Sequence, residues 1–363
     1  MAALSTAIPK KTTAQQNFVK DFIELRRKVA AAGFMRRRYV YYWSAFIGIA
    51  AIYVGLGFAF FALGDSWWQL LVAAGLAITL TQTAFLGHDA AHMQIFKSAK
   101  RNEWASLILA NLLVGLSYGW WQNKHSRHHA NPNIKGKDPD IEMDVIVFTP
   151  EQAEKSNAFL RWWYRRQGYM FFPLVCLEGI NLHVQSLRGL LRKDGSNHRW
   201  IELVFLTIRI GGVVFAAFWF LSPLIALAFL AVQLGVFGFY MGCSFAPNHK
   251  GMEIFPQDMK LDFMSRQVLT SRNISGSHFK DLLFGGLNYQ IEHHLFPAMP
   301  RIALREVAPI VKAFCAERGV KYTETTMLQS FKIVVAYLNR VGLGERDPFD
   351  CPLANSLRMT PSN

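Results

Sequence analysis

Hydrophobic residues along this chain gather into four long, nearly uncharged stretches arranged as two pairs. Tyr41 to Leu63 reads YYWSAFIGIAAIYVGLGFAFFAL and Trp67 to Leu86 reads WWQLLVAAGLAITLTQTAFL, with only Gly64, Asp65 and Ser66 between them. Ile201 to Leu221 and Leu224 to Ala246 form the second pair, joined by Ser222 and Pro223. Each stretch approaches or exceeds the roughly 20 residues that cross a hydrocarbon core of about 30 Å. A large soluble core is the alternative, but four spans this long and this free of charge argue against it. The pattern predicts an all-α integral membrane protein with four transmembrane helices in two hairpins, at 41–86 and 201–246. Segments 87–200 and 247–342 then build a helical cap on one side.

Shorter patterns fill in the rest. Between residues 14 and 34, Phe18, Phe22, Leu25 and Val29 recur at three- and four-residue steps among Lys, Arg and Glu, which predicts an amphipathic helix. It is expected to lie on the membrane surface within an N-terminal segment 1–40, or else to pack into the cap. Ala105 to Tyr118 is apolar but too short to cross and reads as an interfacial or re-entrant piece. Residues 1–13 and a tail at 343–363 are expected to be loose, and no internal repeat is visible.

Charge orients this picture. Lys and Arg number 39 against 25 Asp and Glu, a net charge of +14. The excess flanks the spans: Arg26, Arg27, Lys28, Arg36, Arg37 and Arg38 precede the first, and Arg188, Arg192, Lys193 and Arg199 precede the third, whereas the hairpin tips carry only Asp65. The positive-inside rule therefore predicts cytoplasmic termini and a cytoplasmic cap, with a bacterial inner membrane as the expected location. Because the basic residues border membrane spans, no nucleic-acid partner is expected. The first forty residues show no secretory signal pattern. Cys176, Cys243, Cys315 and Cys351 show no paired spacing. One residue breaks the pattern. Arg209 falls inside the third span, where an arginine serves either a buried polar function or a structural pairing, for which Glu202 is the candidate.

The chemistry lies in the histidines. His88-Asp89-Ala90-Ala91-His92 follows the second span, His125-Ser126-Arg127-His128-His129 lies further on, and Gln290-Ile291-Glu292-His293-His294 lies beyond the fourth span. His249 stands three residues past that span. Positions i, i+3 and i+4 share one helix face, so each cluster presents its imidazoles together. Neutral imidazole is the commonest metal ligand. One structural zinc needs four ligands and a catalytic zinc three plus an open position, so eight histidines suit two ions. Ligand type alone does not separate iron from zinc or copper. Carboxylates that orient metal-bound imidazoles have candidates in Asp89, Glu292, Asp138, Asp140, Glu142 and Asp144, although any one of these could equally be solvated. His183, His198 and His278 lack such spacing and are expected to be structural.

HDAAH, HSRHH and QIEHH, ordered around two hairpins, resemble the three histidine boxes of the membrane fatty acid desaturases over about residues 40–320. The resemblance implies a cap holding two irons (Fe2+/Fe3+), with O2 as co-substrate. It implies His88, His92, His125, His128, His129, His293 and His294 as ligands, with His249 as the further ligand placed past the last span. Gln290 stands where many members have histidine, ligating directly or through water. A leading glutamine is typical of members that cut between an existing double bond and the carboxyl end, and it also occurs in others, so the bond position stays open. The resemblance implies formation of a cis double bond in a fatty acyl substrate carried as a CoA thioester or a lipid. Trp120 and Trp121 are candidates to line its tunnel. No HPGG haem motif is present, so electrons are expected from an external carrier, either a ferredoxin or a cytochrome/reductase system. A related di-iron hydroxylase would need the same site. A metal transporter would place its ligands near the bilayer midplane, whereas these clusters lie at or beyond span ends.

Overall fold

A computed structural model describes residues 13–142, 145–154, 156–192 and 196–343. The side chain of Phe18, Lys193, Asp144, Cys351 and most of the two segments expected to be loose lie outside the described residues. Four helices are long and apolar enough to cross a membrane: Tyr39–Leu63, Gln69–Ala91, Arg199–Phe220 and Pro223–His249. The chain is an integral membrane protein. The helices outrun the apolar stretches that announce them, because nothing breaks the helix where hydrophobicity stops. His88 and His249 therefore sit on the last turns of the second and fourth helices rather than after them.

Both hairpins are closed by local chemistry. Gly64 turns the first with φ +56, a backbone conformation that glycine adopts at little steric expense. The Gln69 side-chain amide then donates to the carbonyls of Phe60 (2.7 Å) and Gly64 (2.8 Å). Asp65 reaches across to the second tip, where its carboxylate accepts the Ser222 backbone N–H at 2.7 Å. The second and fourth helices pack along each other, burying Ala73, Ala77, Leu80, Ala226, Phe229 and Phe237. The first helix buries only Tyr42 and turns Ile47, Val54, Phe58 and Phe61 outward. An outward face of that composition is suited to lipid.

The cap has two apolar centres. One joins Leu25 and Val29 of the N-terminal helix Thr13–Ala31 to Ile291, Leu295 and Phe296 around the third cluster and to Leu304, Val307 and Val311 of Arg301–Glu317. The expected surface-lying role of this helix is corrected here. Leu25 and Val29 are fully buried against the cap, while Asp21 and Glu24 pair with Arg318 at 2.9 Å each. Its apolar face is already covered by protein. The second centre packs Ile141, Phe148, Phe171 and Ile254 against Val334, Leu338 and Val341 of Met327–Gly342. Almost no strand is present among the described residues: Asn273–Ile274 pairs in parallel with Glu324–Thr325.

The segment around Ala105 folds as the helix Ala99–Ser106 continued by a π-helical stretch, Leu107–Val114, against the second span. Two further helices, Gln167–Cys176 and Glu178–Leu191, meet at a 68° bend. They reach the fourth span at a crossing of two glycines: a Cβ on Gly238 would stand 2.3 Å from the Gly179 nitrogen, and one on Gly179 would stand 2.2 Å from the Leu234 carbonyl oxygen. A Cβ on nearby Gly235 would meet nothing within 4 Å. Gly238→Ala is therefore expected to destabilise the protein by about 1–3 kcal/mol through overpacking. Gly235→Ala should be neutral or slightly stabilising, since alanine is the better helix former. Thermal unfolding of the two variants in detergent compares them directly.

Candidate metal centre

Each histidine cluster reaches the centre on its own support. The first rides the end of the second span. The second lies on Tyr118–Ala130, whose start is fixed by Ser117: its hydroxyl oxygen accepts the Trp120 N–H at 3.1 Å, while its O–H donates to Glu202 at 2.7 Å. Glu202 is fully buried at this helix N-terminus. It also accepts from the Asn111 amide at 2.8 Å, from the Gly119 N–H at 3.3 Å and from the Ser196 hydroxyl. A carboxylate there is favoured by the free N–H groups and by the helix dipole. The expected Arg209–Glu202 pairing is thus corrected. Glu202 is saturated by donors at the start of the second cluster's helix, and Arg209 Nε–H donates instead to the Leu113 carbonyl at 2.7 Å.

The third cluster is the six-residue helix Gln290–Leu295. Asn273 holds it twice, accepting the Ile291 N–H at 2.9 Å and donating to Glu292 at 2.7 Å, while Tyr322 donates to Glu292 at 2.8 Å. Glu292 thus points away from the imidazoles and ties its helix to the cap. Burial pushes its carboxyl up to about 7.

The eight clustered imidazoles converge from these supports in two adjoining groups. In the first, His88, His92, His125, His129 and His293 each offer a ring nitrogen, all within 4.8 Å of one another. In the second, His128, His249 and His294 do the same. Neighbouring Nε2 atoms stand 2.9 Å apart for His92 and His125, 3.0 Å for His125 and His129, and 3.2 Å for His129 and His293. In the second group His249 lies 3.3 Å from His128 and 3.1 Å from His294. Imidazole binds a first-row ion at about 2.1 Å, so ligand atoms at right angles around one ion lie about 3 Å apart. The spacing matches. His88 Nε2 is buried with no hydrogen-bond partner among the described residues, an arrangement that is costly unless something else takes the lone pair. The groups abut where the rings of His129 and His294 stack at 4.2 Å.

Protonation agrees with ligation. Burial, reinforced by the neighbouring imidazoles, pulls His125, His129, His293 and His294 well below the ordinary histidine range, leaving them neutral. His128 is the exception. Burial opposes its charged form, but the carboxylates of Asp138 and Asp140 prevail and raise it. Asp138 accepts from His128 Nδ1 at 3.0 Å and from the Asn133 N–H at 2.7 Å. Asp140 lies 3.4 Å from His128 Nδ1 and 2.6 Å from Lys124 Nζ. Against burial, Lys124 and His128 hold its carboxyl well below the carboxylate range. Glu142 is exposed and accepts only the Gly136 N–H, at 2.9 Å, among the hydrogen bonds of the described residues. Asp89 lies 3.6 Å from His88 Nδ1, too far for a hydrogen bond, and is buried in an ion pair with Arg301.

Other supports carry no motif. The Thr270 carbonyl accepts from His249 Nδ1 at 2.9 Å, and Gln267 Oε1 accepts from His294 Nδ1 at 2.8 Å. The Gln267 amide in turn donates to the His129 carbonyl at 3.0 Å. With Asp138, these fix all three rings of the second group so that Nε2 faces inward. Gln290 faces that group too: its amide lies 2.9 Å from His249 Nε2, and its carbonyl accepts from Asn248 at 3.2 Å. Trp121 stacks on His125 at 4.3 Å and lies 5.6 Å from His88. Trp120 packs instead over Gly189. The remaining histidines stand apart from the centre. His183 bonds the Gly179 carbonyl at 2.6 Å, His198 pairs with Glu103 at 3.0 Å, and His278 is exposed.

The fatty acid desaturase family model matches residues 65–326, most of the chain and all three clusters. The chain belongs to the fatty acid desaturase family. The delta(5) fatty acid desaturase fat-4 of Caenorhabditis elegans is 32% identical, with 87% of this chain and 72% of that protein covered. Fatty acid desaturase 3 of Bos taurus is 30% identical, with 89% and 73% covered. The fatty acid desaturase 2-like protein FADS2B of Mus musculus is 28% identical, with 92% and 69% covered. This desaturase is accordingly an oxidoreductase acting on fatty acyl chains, and its histidine groups could hold metal.

Asp138→Asn removes the carboxylate that orients His128 and is expected to weaken metal binding about 10- to 100-fold, read by chelator competition. His198→Gln, far from the centre, should leave it unchanged. Arg301→Gln strands Asp89 as a buried lone charge and should lower stability by about 3–5 kcal/mol. Combining it with Asp89→Asn is expected to restore much of that loss in thermal unfolding.

Proposed function

We propose that this desaturase forms a cis double bond with two irons (Fe2+/Fe3+), one served by each histidine group, and O2 as co-substrate. The observation that carries the reading is the convergence of eight imidazoles, five of them buried and three partly so, into two adjoining groups of five and three. Bound there, redox-active iron would supply the oxidising power needed to take hydrogen from an unactivated CH2. The overall change balances when two hydrogens leave adjacent carbons and two external electrons with two protons complete the reduction of O2 to two waters.

The ligand roles follow the geometry. His88, His92, His125, His129 and His293 serve one ion, and His128, His249 and His294 serve the other. Gln290 completes the second set directly or through water. Asp138 and Asp140 fix His128. Asp89 acts at longer range, and Glu292 acts only by anchoring its helix. Trp121, beside His125, borders the acyl path. Trp120 has a packing role.

Position on the acyl chain is set by how far it reaches past the ions before its carboxyl end is held. We assign this chain to desaturases that cut between an existing double bond and the carboxyl end. Gln290 at the head of the third cluster supports this, as do relatives named for delta(5) and, in Helianthus annuus, delta(8) desaturation. All the clusters lie on the side opposite the hairpin tips, and the basic flanks support a cytoplasmic orientation for that side, in keeping with a bacterial inner membrane. The acyl group arrives there as a CoA thioester or a membrane lipid. Electrons come from a separate acidic carrier such as a ferredoxin or a cytochrome, steered by the positive surface.

Purified protein is expected to carry about two irons per chain by elemental analysis. Expression in a host supplied with a monounsaturated acid should yield a new double bond on the carboxyl side of the first, located by mass spectrometry of derivatised methyl esters. His128→Ala should abolish it. A hydroxylated product, or a bond toward the methyl end, would overturn the respective part of the reading.

A further inference from the structure

The helices Gln167–Cys176 and Glu178–Leu191 expose a face of unusual composition. Leu177, Ile180, Val184, Leu187 and Leu191 recur at three- and four-residue steps, and all are exposed. Tyr169 is 72% exposed, with Phe172 on the same helix also outward. A helix bordering water turns its polar stripe outward; here the order is reversed. The polar residues point inward, where Ser186 Oγ accepts the Ser117 N–H at 3.0 Å and His183 bonds Gly179.

Depth comes from the spans themselves. The bend touches the fourth span at Gly238, about 16 Å along the helix from His249 at 1.5 Å per residue. Leu182 packs against the buried cluster that includes Ala77 and Leu80 of the second span, Leu80 lying about 16 Å from its Ala91 end. His183 and Arg209 meet beside Gly115, and Arg209 lies about 15 Å into the third span from Arg199. Measured from the ends of the apolar stretches at Ala246, Leu86 and Ile201, the three points lie about 9–12 Å inside the spans. The outer ends return to the cap: Gly168 meets Val335 and Asn339 of the last helix, and Gly189 meets Trp120. Basic residues gather at those ends, as Arg165 and Arg166 on one side and Arg188 and Arg192 on the other.

We infer that residues 167–191 form a shallow re-entrant V whose exposed face contacts the acyl tails of the histidine-side leaflet, with the arginines at its rim meeting phosphate headgroups. The occupant is lipid because Glu178–Leu191 packs beside the start of the third span, whose Trp200, Val204 and Phe215 are likewise turned outward. Contact with hydrocarbon is also the one surrounding in which that whole stripe loses nothing by exposure.

Spin labels at Leu177→Cys and Ile180→Cys, in full-length protein in phosphatidylglycerol-containing nanodiscs, test the depth. They should collide with oxygen several-fold more than with a water-soluble nickel chelate, as a Phe215→Cys label should and a Lys312→Cys label should not. Labels at Tyr169 and Leu191 should read shallower. Hydroxyl-radical footprinting of the unmodified protein gives a second reading that needs no variant: Tyr169 and Phe172 should be protected in nanodiscs although both are exposed on the protein itself. Free access of the nickel chelate at Leu177 and Ile180, with oxidation of Tyr169, would overturn the proposal. Exclusion of both collision reagents with spin–spin broadening would also overturn it, showing a second copy as the occupant.

Discussion

Eight imidazoles, mostly withdrawn from water and with neighbouring ring nitrogens about 3 Å apart, constrain the rest of the molecule. Each neutral ring brings a lone pair as well as a proton. Lone pairs turned toward one another in a dry interior repel unless a positive ion or a shared proton lies between them. Burial has already driven most of these rings to the neutral form, so proton sharing cannot satisfy all of them. Such a centre persists only if the chain holds each ring rigidly from behind. Much of the cap performs that task.

The two groups are held in different ways. In the three-histidine group every Nδ1 has an acceptor: the carboxylate of Asp138, the carbonyl of Thr270 and the amide oxygen of Gln267. The five-histidine group leans more on position. His88 and His92 are placed by the end of the second span, and Asp89 is spent on Arg301 rather than on a ring. Arg301 also donates its backbone N–H to Gln94, whose amide reaches the Pro297 carbonyl, so the first cluster is clamped to the segment following the third. Cations stand behind both sets of carboxylates, Arg301 behind Asp89 and Lys124 behind Asp140. Each balances carboxylate charge in a low-dielectric setting, and Lys124 helps hold the Asp140 carboxyl well below its ordinary range.

Periodic features were legible in the sequence. The four apolar runs and the i, i+3, i+4 histidines state their own geometry, because one period governs both the pattern and the helix. Long-range partners were not. Gln267, Thr270, Arg301 and Lys124 carry no spacing that marks them, and their roles exist only once segments tens to hundreds of residues apart are folded together. Glu202 was misread for the same reason. A carboxylate and an arginine one helical face apart suggest a pair, yet Ser117 and Asn111, about ninety positions away, claim the carboxylate first. Amphipathicity also proved one-sided. It identified the helix near the N-terminus but could not say whether lipid or protein covers its apolar face, and Leu25 and Val29 lie against the cap.

The unequal donor sets give Gln290 its meaning. A fourth imidazole in its place would bring the second group closer to the first. A neutral amide is the weaker donor, and it is held by Asn248 so that its nitrogen, rather than its oxygen, faces His249. Amide orientation is an assignment that the local hydrogen-bond network decides, and an ion in the second group would favour the opposite flip, with the oxygen inward and the nitrogen toward Asn248. Asn248 opposes that flip, because its amide nitrogen also donates to the Ser244 and Leu287 carbonyls at 3.1 and 3.0 Å. The second group thus has a ligand position that its ion can occupy weakly or leave to water. The five-histidine group has no such residue, so the asymmetry between the two groups is written into this one side chain.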